Sequence, residues 1–168
     1  YCALLPDNRM PVYCTADVAA DFHSRLPFCV AEHPYPGVPK FELHIIDREP
    51  FSIGGAVIEP FPVMHRNLEI RGYRIGSLAY ITDCLTLPEE SRELIRGVDT
   101  LVINALRFKP HYSHLSLSQA LDVIDDLHPR RAYLIHMGHD IGFHRDIPGF
   151  LPPHVSAAYD GLKIHIQD

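Results

Sequence analysis

The feature that most limits the fold is a change of hydrophobic period partway along the chain. From Phe41 to Asp83 the apolar residues alternate or run in short blocks, at Phe41–Ile46, Ala56–His65, Arg71–Ile75 and Leu78–Asp83, with Gly54-Gly55 and Gly76-Ser77 as turn signals. These blocks read as largely antiparallel strands. Beyond them the period becomes helical at Pro88–Ile95, returns to a buried strand at Thr100–Leu106, and is helical again at Ser116–Leu127. The last of these opens with Ser116-x-x-Gln119, a capping box, and sets Ala120, Leu121, Ile124 and Leu127 on one face. A strand ending at His136 follows, then a loop rich in Gly, His and Pro, then short strands around Val155 and at Leu162–Ile166. Upstream, Pro11–Cys14 reads as a strand, and Thr15 can cap a helix that places Val18, Phe22 and Leu26 together. Pro27, Pro34, Pro36 and Pro39 make the stretch to Lys40 an ordered loop. Strands followed by strand-helix-strand alternation imply an α/β domain with helices packed outside a sheet. No repeat, boundary or low-complexity segment interrupts it, so residues 1–168 are read as a single domain.

Three of the apolar runs finish on a side chain that can bind a metal: Phe61 to His65, Leu78 to Asp83 and Arg131 to His136. A hydrophobic strand buries its body and delivers its last residue to the sheet edge, so the three endings can converge on one site. Asp83 can bridge two cations or cap the following turn. His65 can be a ligand or a hydrogen-bonded structural histidine. His136-Met-Gly-His139 places two histidines around a glycine directly after a strand, a pattern for metal or phosphate contact or for a solvated polar loop. His111-Tyr-Ser-His114 precedes the capped helix. There a histidine can protonate a leaving alkoxide, or Ser113 and Ser116 can cap the helix while the histidines stay exposed. Arg107, Lys109 and Arg74 are candidate phosphate contacts for which a solvated surface role is the plainer reading, and Tyr159 and Asp160 belong to a tight turn.

The formal charge of −6, from 15 basic and 21 acidic residues without long runs, argues against binding along a nucleic-acid backbone. A small substrate is the expectation. Disorder, collagen and coiled coil are excluded by composition, and no apolar stretch approaches the roughly 20 residues that span a bilayer. Cys2, Cys14, Cys29 and Cys84 form no Cys-x-x-Cys pair, which fits reduced thiols in the cytoplasm better than a disulfide scaffold. The chain opens at Tyr1 without a leader-like pattern, so further residues are expected upstream.

Read together, Met64-His65, Gly72-Tyr-Arg-Ile-Gly76, Tyr80-Ile-Thr-Asp83, Ala105-Leu-Arg107, His111-Tyr-Ser-His114, His136-Met-Gly-His-Asp140 and Ala158-Tyr-Asp-Gly161 resemble the metallo-β-lactamase superfamily. More narrowly, they resemble its branch of phosphoribosyl 1,2-cyclic phosphate phosphodiesterases, relatives of the tRNA 3′-processing nucleases. The resemblance implies an αββα sandwich with a dinuclear zinc or manganese site. It implies His65 on one metal, Asp83 as the bridge, His136 on the other metal, and His139 near an additional structural zinc. It also implies His114, or alternatively His111, as the leaving-group acid and phosphate contact. The family's His-x-His-x-Asp-His run is absent from these residues, which makes the fold incomplete at its N-terminus. Asn104 stands where the family has an acidic residue. The expectation is therefore a metal-dependent phosphodiesterase whose isolated C-terminal portion is inactive and prone to self-association or homodimer formation. The alternatives are a non-catalytic module and a thioester or lactam hydrolase.

Overall fold

The computed structural model describes residues 9–33 and 35–166. The chain divides between Glu49 and Pro50 into two compact units.

In the first unit, β1 (Met10–Cys14) pairs in parallel with β2 (Phe41–Ile45), in a register that sets Met10 against Phe41 and Cys14 against Ile45. Parallel neighbours need a crossover, and α1 (Ala16–Arg25) with α2 (Pro27–Val30) supplies it. The loop expected from Pro27 therefore begins as one helical turn. Proline at the first helical position has no N–H to waste and a dihedral already set for the helix. Thr15 occupies the N-cap with extended backbone, but its side chain makes no capping bond. Phe41 to Ile45 was expected among antiparallel strands; its partner is instead the N-terminal strand.

The second unit holds a seven-stranded sheet in the order β3-β4-β5-β6-β7-β8-β9. Its strands are β3 (Phe51–Ile53), β4 (Ala56–His65), β5 (Leu68–Ile75), β6 (Leu78–Tyr80), β7 (Thr100–Asn104), β8 (Arg131–Ile135) and β9 (Val155–Ala157). Gly54 and Gly55, with φ of 57° and 89°, close the β3–β4 hairpin in the left-handed conformations that a two-residue turn of this kind requires. β3 pairs only with the start of β4, which leaves the far part of β4 open on that side. This is why Pro60 and Pro62 fit inside a strand: each lacks an N–H where no continuous neighbour needs one. Residues 85 and 86 take up that free edge, Met64 bonding with both Leu85 and Thr86.

Two expected strands are shorter or missing. β6 ends at Tyr80 and not Asp83, because Asp83 turns through the left-handed region at φ 56°. Leu162–Ile166 forms no ladder; the His165 carbonyl instead accepts from the Arg131 guanidinium.

β7 is buried along its whole length between parallel neighbours, which accounts for its unbroken apolar run. Among the described residues, this unit carries the α-helices α3 (Glu89–Ile95) and α4 (Leu117–Leu127). The capping box of α4 forms as expected: the Ser116 hydroxyl accepts from the Gln119 amide at 3.4 Å, and the Gln119 side chain accepts from the Ser116 amide at 2.9 Å. Leu117, Ala120, Val123, Ile124 and Leu127 are its buried face. They join Phe61, Val63, Ile81, Leu101, Ile103 and Leu134 in one core. Among the described residues, no helix is long and apolar enough to cross a membrane.

Candidate metal centre

The sheet topology decides where the three strand endings go. β4 and β6 are both antiparallel to β5, and β6, β7 and β8 are mutually parallel, so β4, β6, β7 and β8 all point the same way. Their C-terminal ends share one edge of the sheet, the place where open α/β sheets gather ligands. His65 is the last residue of β4, Asp83 lies three residues past β6, and His136 directly follows β8. The chain turns through the left-handed region at Arg66, Asp83 and His136, with φ of 58°, 56° and 56°. For residues with a Cβ this costs about 1–2 kcal/mol each, and such strain clusters where side chains are aimed for function. The turn out of β8 is made at His136 and not at the nearby glycine. Gly138 itself has an ordinary φ of −80°, and its N–H bonds the Leu106 carbonyl at 2.8 Å.

His114 arrives from the loop between β7 and α4. That loop doubles back tightly: Leu106 N–H bonds Leu115 O at 2.9 Å, and Leu115 N–H bonds Cys84 O at 2.8 Å. The fully buried Asn104 completes the clasp. Its Oδ1 accepts from Cys84 N at 2.8 Å and its Nδ2 donates to Cys84 O at 3.0 Å. One amide thus fixes the peptide that follows Asp83, and through Cys84 O the Leu115 N–H that follows His114. An ionised carboxylate at this place would have no hydrogen to donate to Cys84 O, so the asparagine amide matches this backbone.

Within the site, His114 Nε2 is 3.0 Å and His136 Nε2 is 3.2 Å from the same oxygen of Asp83. The two imidazoles stack at 4.8 Å between centroids, and the His65 ring meets His114 edge-on at 4.8 Å. Thr82 Oγ1 bonds the second Asp83 oxygen at 3.0 Å. Behind His114, the buried Ser113 hydroxyl lies 2.8 Å from its Nδ1, and His111 Nδ1 is 3.2 Å from that atom. Burial raises the Asp83 pKa, but hydrogen bonds from His114 and Thr82, with the charges of His136 and His114, more than offset it and hold the carboxyl below its usual range. Desolvation, with the charges of Arg107, His114 and His65, pushes His111 down. Cys84, buried next to the site, is pushed up to about 12 by desolvation and stays an inert thiol.

The donor set fits a divalent cation. Ligand atoms of His65, Asp83 and His114 all lie within 4.8 Å of one another, and two imidazoles with one carboxylate suit zinc or manganese. The fold therefore brings His65, Asp83, His136, His114 and His111 together. It leaves His139 outside, with its side chain 98% exposed and paired to Asp140 at 3.3 Å. Arg107 is held within its own loop, donating to Lys109 O at 3.2 Å and Pro110 O at 3.0 Å and facing Asp140 at 3.7 Å. Arg74 is engaged with the Gly76 and Leu94 carbonyls at the opposite sheet edge. Sequence reasoning cast Ser113 as a cap and gave Asn104 no role. A serine between two histidines and an amide ending a fully apolar strand were the available signals.

A family model described as beta-lactamase superfamily domain matches residues 3–137. Among curated proteins, an octanoyltransferase of Porphyromonas gingivalis (strain ATCC BAA-308 / W83) is 34% identical over 163 residues, covering 96% of this chain and 33% of the relative. Among solved structures, a diphosphatase from the PhnP family is 32% identical with a TM-score of 0.84, covering 95% of this chain and 59% of its own. Zinc-bound PqqB from Methylobacterium extorquens, at 16% identity and a TM-score of 0.71, covers 98% of this chain and 68% of its own and shares the fold. The chain thus spans about a third of the octanoyltransferase and 59% of the diphosphatase. With an edge of converging histidines around one aspartate and a family match over most of its length, this chain belongs to the beta-lactamase superfamily, with the metallo-β-lactamase-type fold, on the branch that includes the PhnP family.

Proposed function

We propose that the protein is a metal-dependent phosphodiesterase acting on a small substrate. The carrying observation is the gathering of His65, Asp83 and His114 within 4.8 Å, with His136 on the same carboxylate oxygen. His65, Asp83 and His136 would hold two divalent ions, zinc or manganese. When bound, such ions supply Lewis acidity to the phosphoryl oxygens and lower the pKa of a water nucleophile towards neutrality. Asp83, whose carboxyl its partners hold below the usual range despite burial, orients His114 and His136 through one oxygen. His114 and His111 handle the proton. An imidazole that gains a proton on Nδ1 can release one from Nε2, so their 3.2 Å contact can pass a proton towards a leaving oxygen at the Asp83 side. The Ser113 hydroxyl keeps both rings aligned for that exchange, and Arg107 adds positive charge nearby. The 32% identity to a diphosphatase supports phosphoryl chemistry, and the buried thiols of Cys14, Cys29 and Cys84 support a cytoplasmic setting.

The acyl chemistry in the name of the Porphyromonas gingivalis relative points to a second reading, in which this edge hydrolyses a carbonyl substrate such as a thioester. Parallel assays of bis(p-nitrophenyl) phosphate and an acyl thioester, with zinc or manganese added to the complete protein, separate the two. Turnover of the phosphodiester supports the first reading; turnover of the thioester alone overturns it.

A further inference from the structure

The sheet edge opposite the metal centre carries a second concave site. The starts of the parallel strands β6, β7 and β8 lie there, and beside them is a cavity of about 500 Å³ whose wall includes Arg74, Arg96, Arg130 and His128, with Asp99 as its one carboxylate. In a chain of net charge −6, three guanidiniums and an imidazole are thus gathered around one opening. Each is anchored through one end. Arg74, which the metal centre leaves unused, donates from Nε to the Gly76 carbonyl at 3.2 Å and from Nη1 to the Leu94 carbonyl at 3.3 Å, with Glu59 at 3.7 Å. Arg96 donates from Nη1 to the carbonyl of Asp126 at 2.6 Å and to its carboxylate at 3.1 Å, and Glu89 lies 3.9 Å from Nη2. Arg130 donates from Nε to Asp99. His128 ends α4 in the left-handed conformation, and its Nδ1 donates to the Asp126 carbonyl at 2.9 Å.

The other ends are unspent. Arg74 Nη2, Arg96 Nε and both Nη groups of Arg130 make no hydrogen bond to a described residue. A guanidinium fixed at one end loses little freedom when the other takes an anionic oxygen, so such a set is pre-organised for an anion. The carboxylates of Glu59, Glu89, Asp99 and Asp126 already neutralise part of the charge, so a lone carboxylate gains little there. A ligand with several linked anionic oxygens gains more, because it reaches two arginines at once. The volume is that of a small-molecule site, not of a polymer groove.

We propose that this cavity binds a small polyanion of the pyrophosphate kind, bridged between the unbonded N–H groups of Arg96 and Arg130. The site is independent of the chemistry at the strand-end centre. Calorimetric titration of the complete protein with inorganic pyrophosphate and with orthophosphate tests it, after dialysis against the neutral chelator 1,10-phenanthroline so that no metal draws phosphate to the other edge. Pyrophosphate should bind about tenfold or more tightly than orthophosphate, and Arg96→Gln and Arg130→Gln should each weaken pyrophosphate about tenfold. Arg130 is 65% exposed, so its variant preserves the readout if Arg96→Gln, which loses the Asp126 bonds, fails to fold. Arg145→Gln, at an exposed arginine in the loop after β8, should change neither ligand. Equal affinity for the two ions, or pyrophosphate binding undiminished in Arg130→Gln, overturns the site.

Discussion

Replacing Asn104 with aspartate turns the clasp behind the site into a pH-dependent one. The wild-type amide accepts from Cys84 N at 2.8 Å and donates to Cys84 O at 3.0 Å, at a position with no solvent exposure. In Asn104→Asp, a protonated carboxyl can reproduce both bonds, its carbonyl oxygen accepting and its O–H donating. An ionised one sets a negative oxygen against the Cys84 carbonyl in a buried site. The folded state should therefore hold the proton more tightly than the unfolded chain, whose aspartate titrates near 3.9. A pKa raised on folding contributes stability at low pH that is lost as pH rises towards the folded value. If burial raises it by about three units, the variant loses about 4 kcal/mol relative to its acid form by pH 8, at about 1.4 kcal/mol per unit. Urea unfolding of wild type and Asn104→Asp from pH 4.5 to pH 8, with a chelator present so that metal binding does not contribute, measures the difference directly. Asn104→Ala serves as the control. It leaves the Cys84 N–H unsatisfied and should cost about 2–4 kcal/mol at every pH. A stability gap between Asn104→Asp and wild type that stays constant with pH would refute the clasp.

Other outcomes follow from the same structure. Gly72 faces Phe61 across the β4–β5 pair, and a Cβ there would stand 2.4 Å and 2.6 Å from ring atoms of a phenylalanine that is 2% exposed. Gly72→Ala should cost about 1–3 kcal/mol in chemical denaturation, and Phe61→Leu added to it should recover part of the loss. Hydrogen bonds from Arg92 and Arg96 outweigh burial and hold the Asp126 carboxyl below its usual range. That contribution is present above the unfolded value near 3.9 and disappears as pH falls through the folded one, so the stability difference between wild type and Asp126→Asn should close below about pH 4. Ile53, Val57 and Leu68 are exposed on the β3–β5 strands, and sedimentation of the 168 residues should show concentration-dependent self-association. A single monomeric species across the concentration range would contradict this.

Most of the second unit was legible because its signals are local. The Ser116 capping box, the Gly54-Gly55 hairpin and the apolar run of β7 each state their geometry within a few residues. Ends and partners were less legible. Whether Asp83 closes a strand or follows one depends on a left-handed turn held by Asn104, some 20 residues away. β2 was assigned to the wrong neighbours because nothing in Phe41–Ile45 says that the partner lies before α1 and runs parallel. The last segment alternates like a strand, but no described strand pairs with it. At the site, motifs could name His65, Asp83, His114 and His136 but not their mutual distances. Nor could they show that Arg107 is held by its own loop.

The central claim is that the strand ends of β4, β6 and β8 build one metal centre. Titration of the chain with zinc, followed by calorimetry, tests it with four proteins: wild type, Asp83→Ala, His65→Ala and His154→Ala, the last at an exposed histidine outside the cluster. The account predicts saturable zinc binding by wild type and His154→Ala that falls at least about tenfold in both Asp83→Ala and His65→Ala. Zinc affinity undiminished in Asp83→Ala would contradict it.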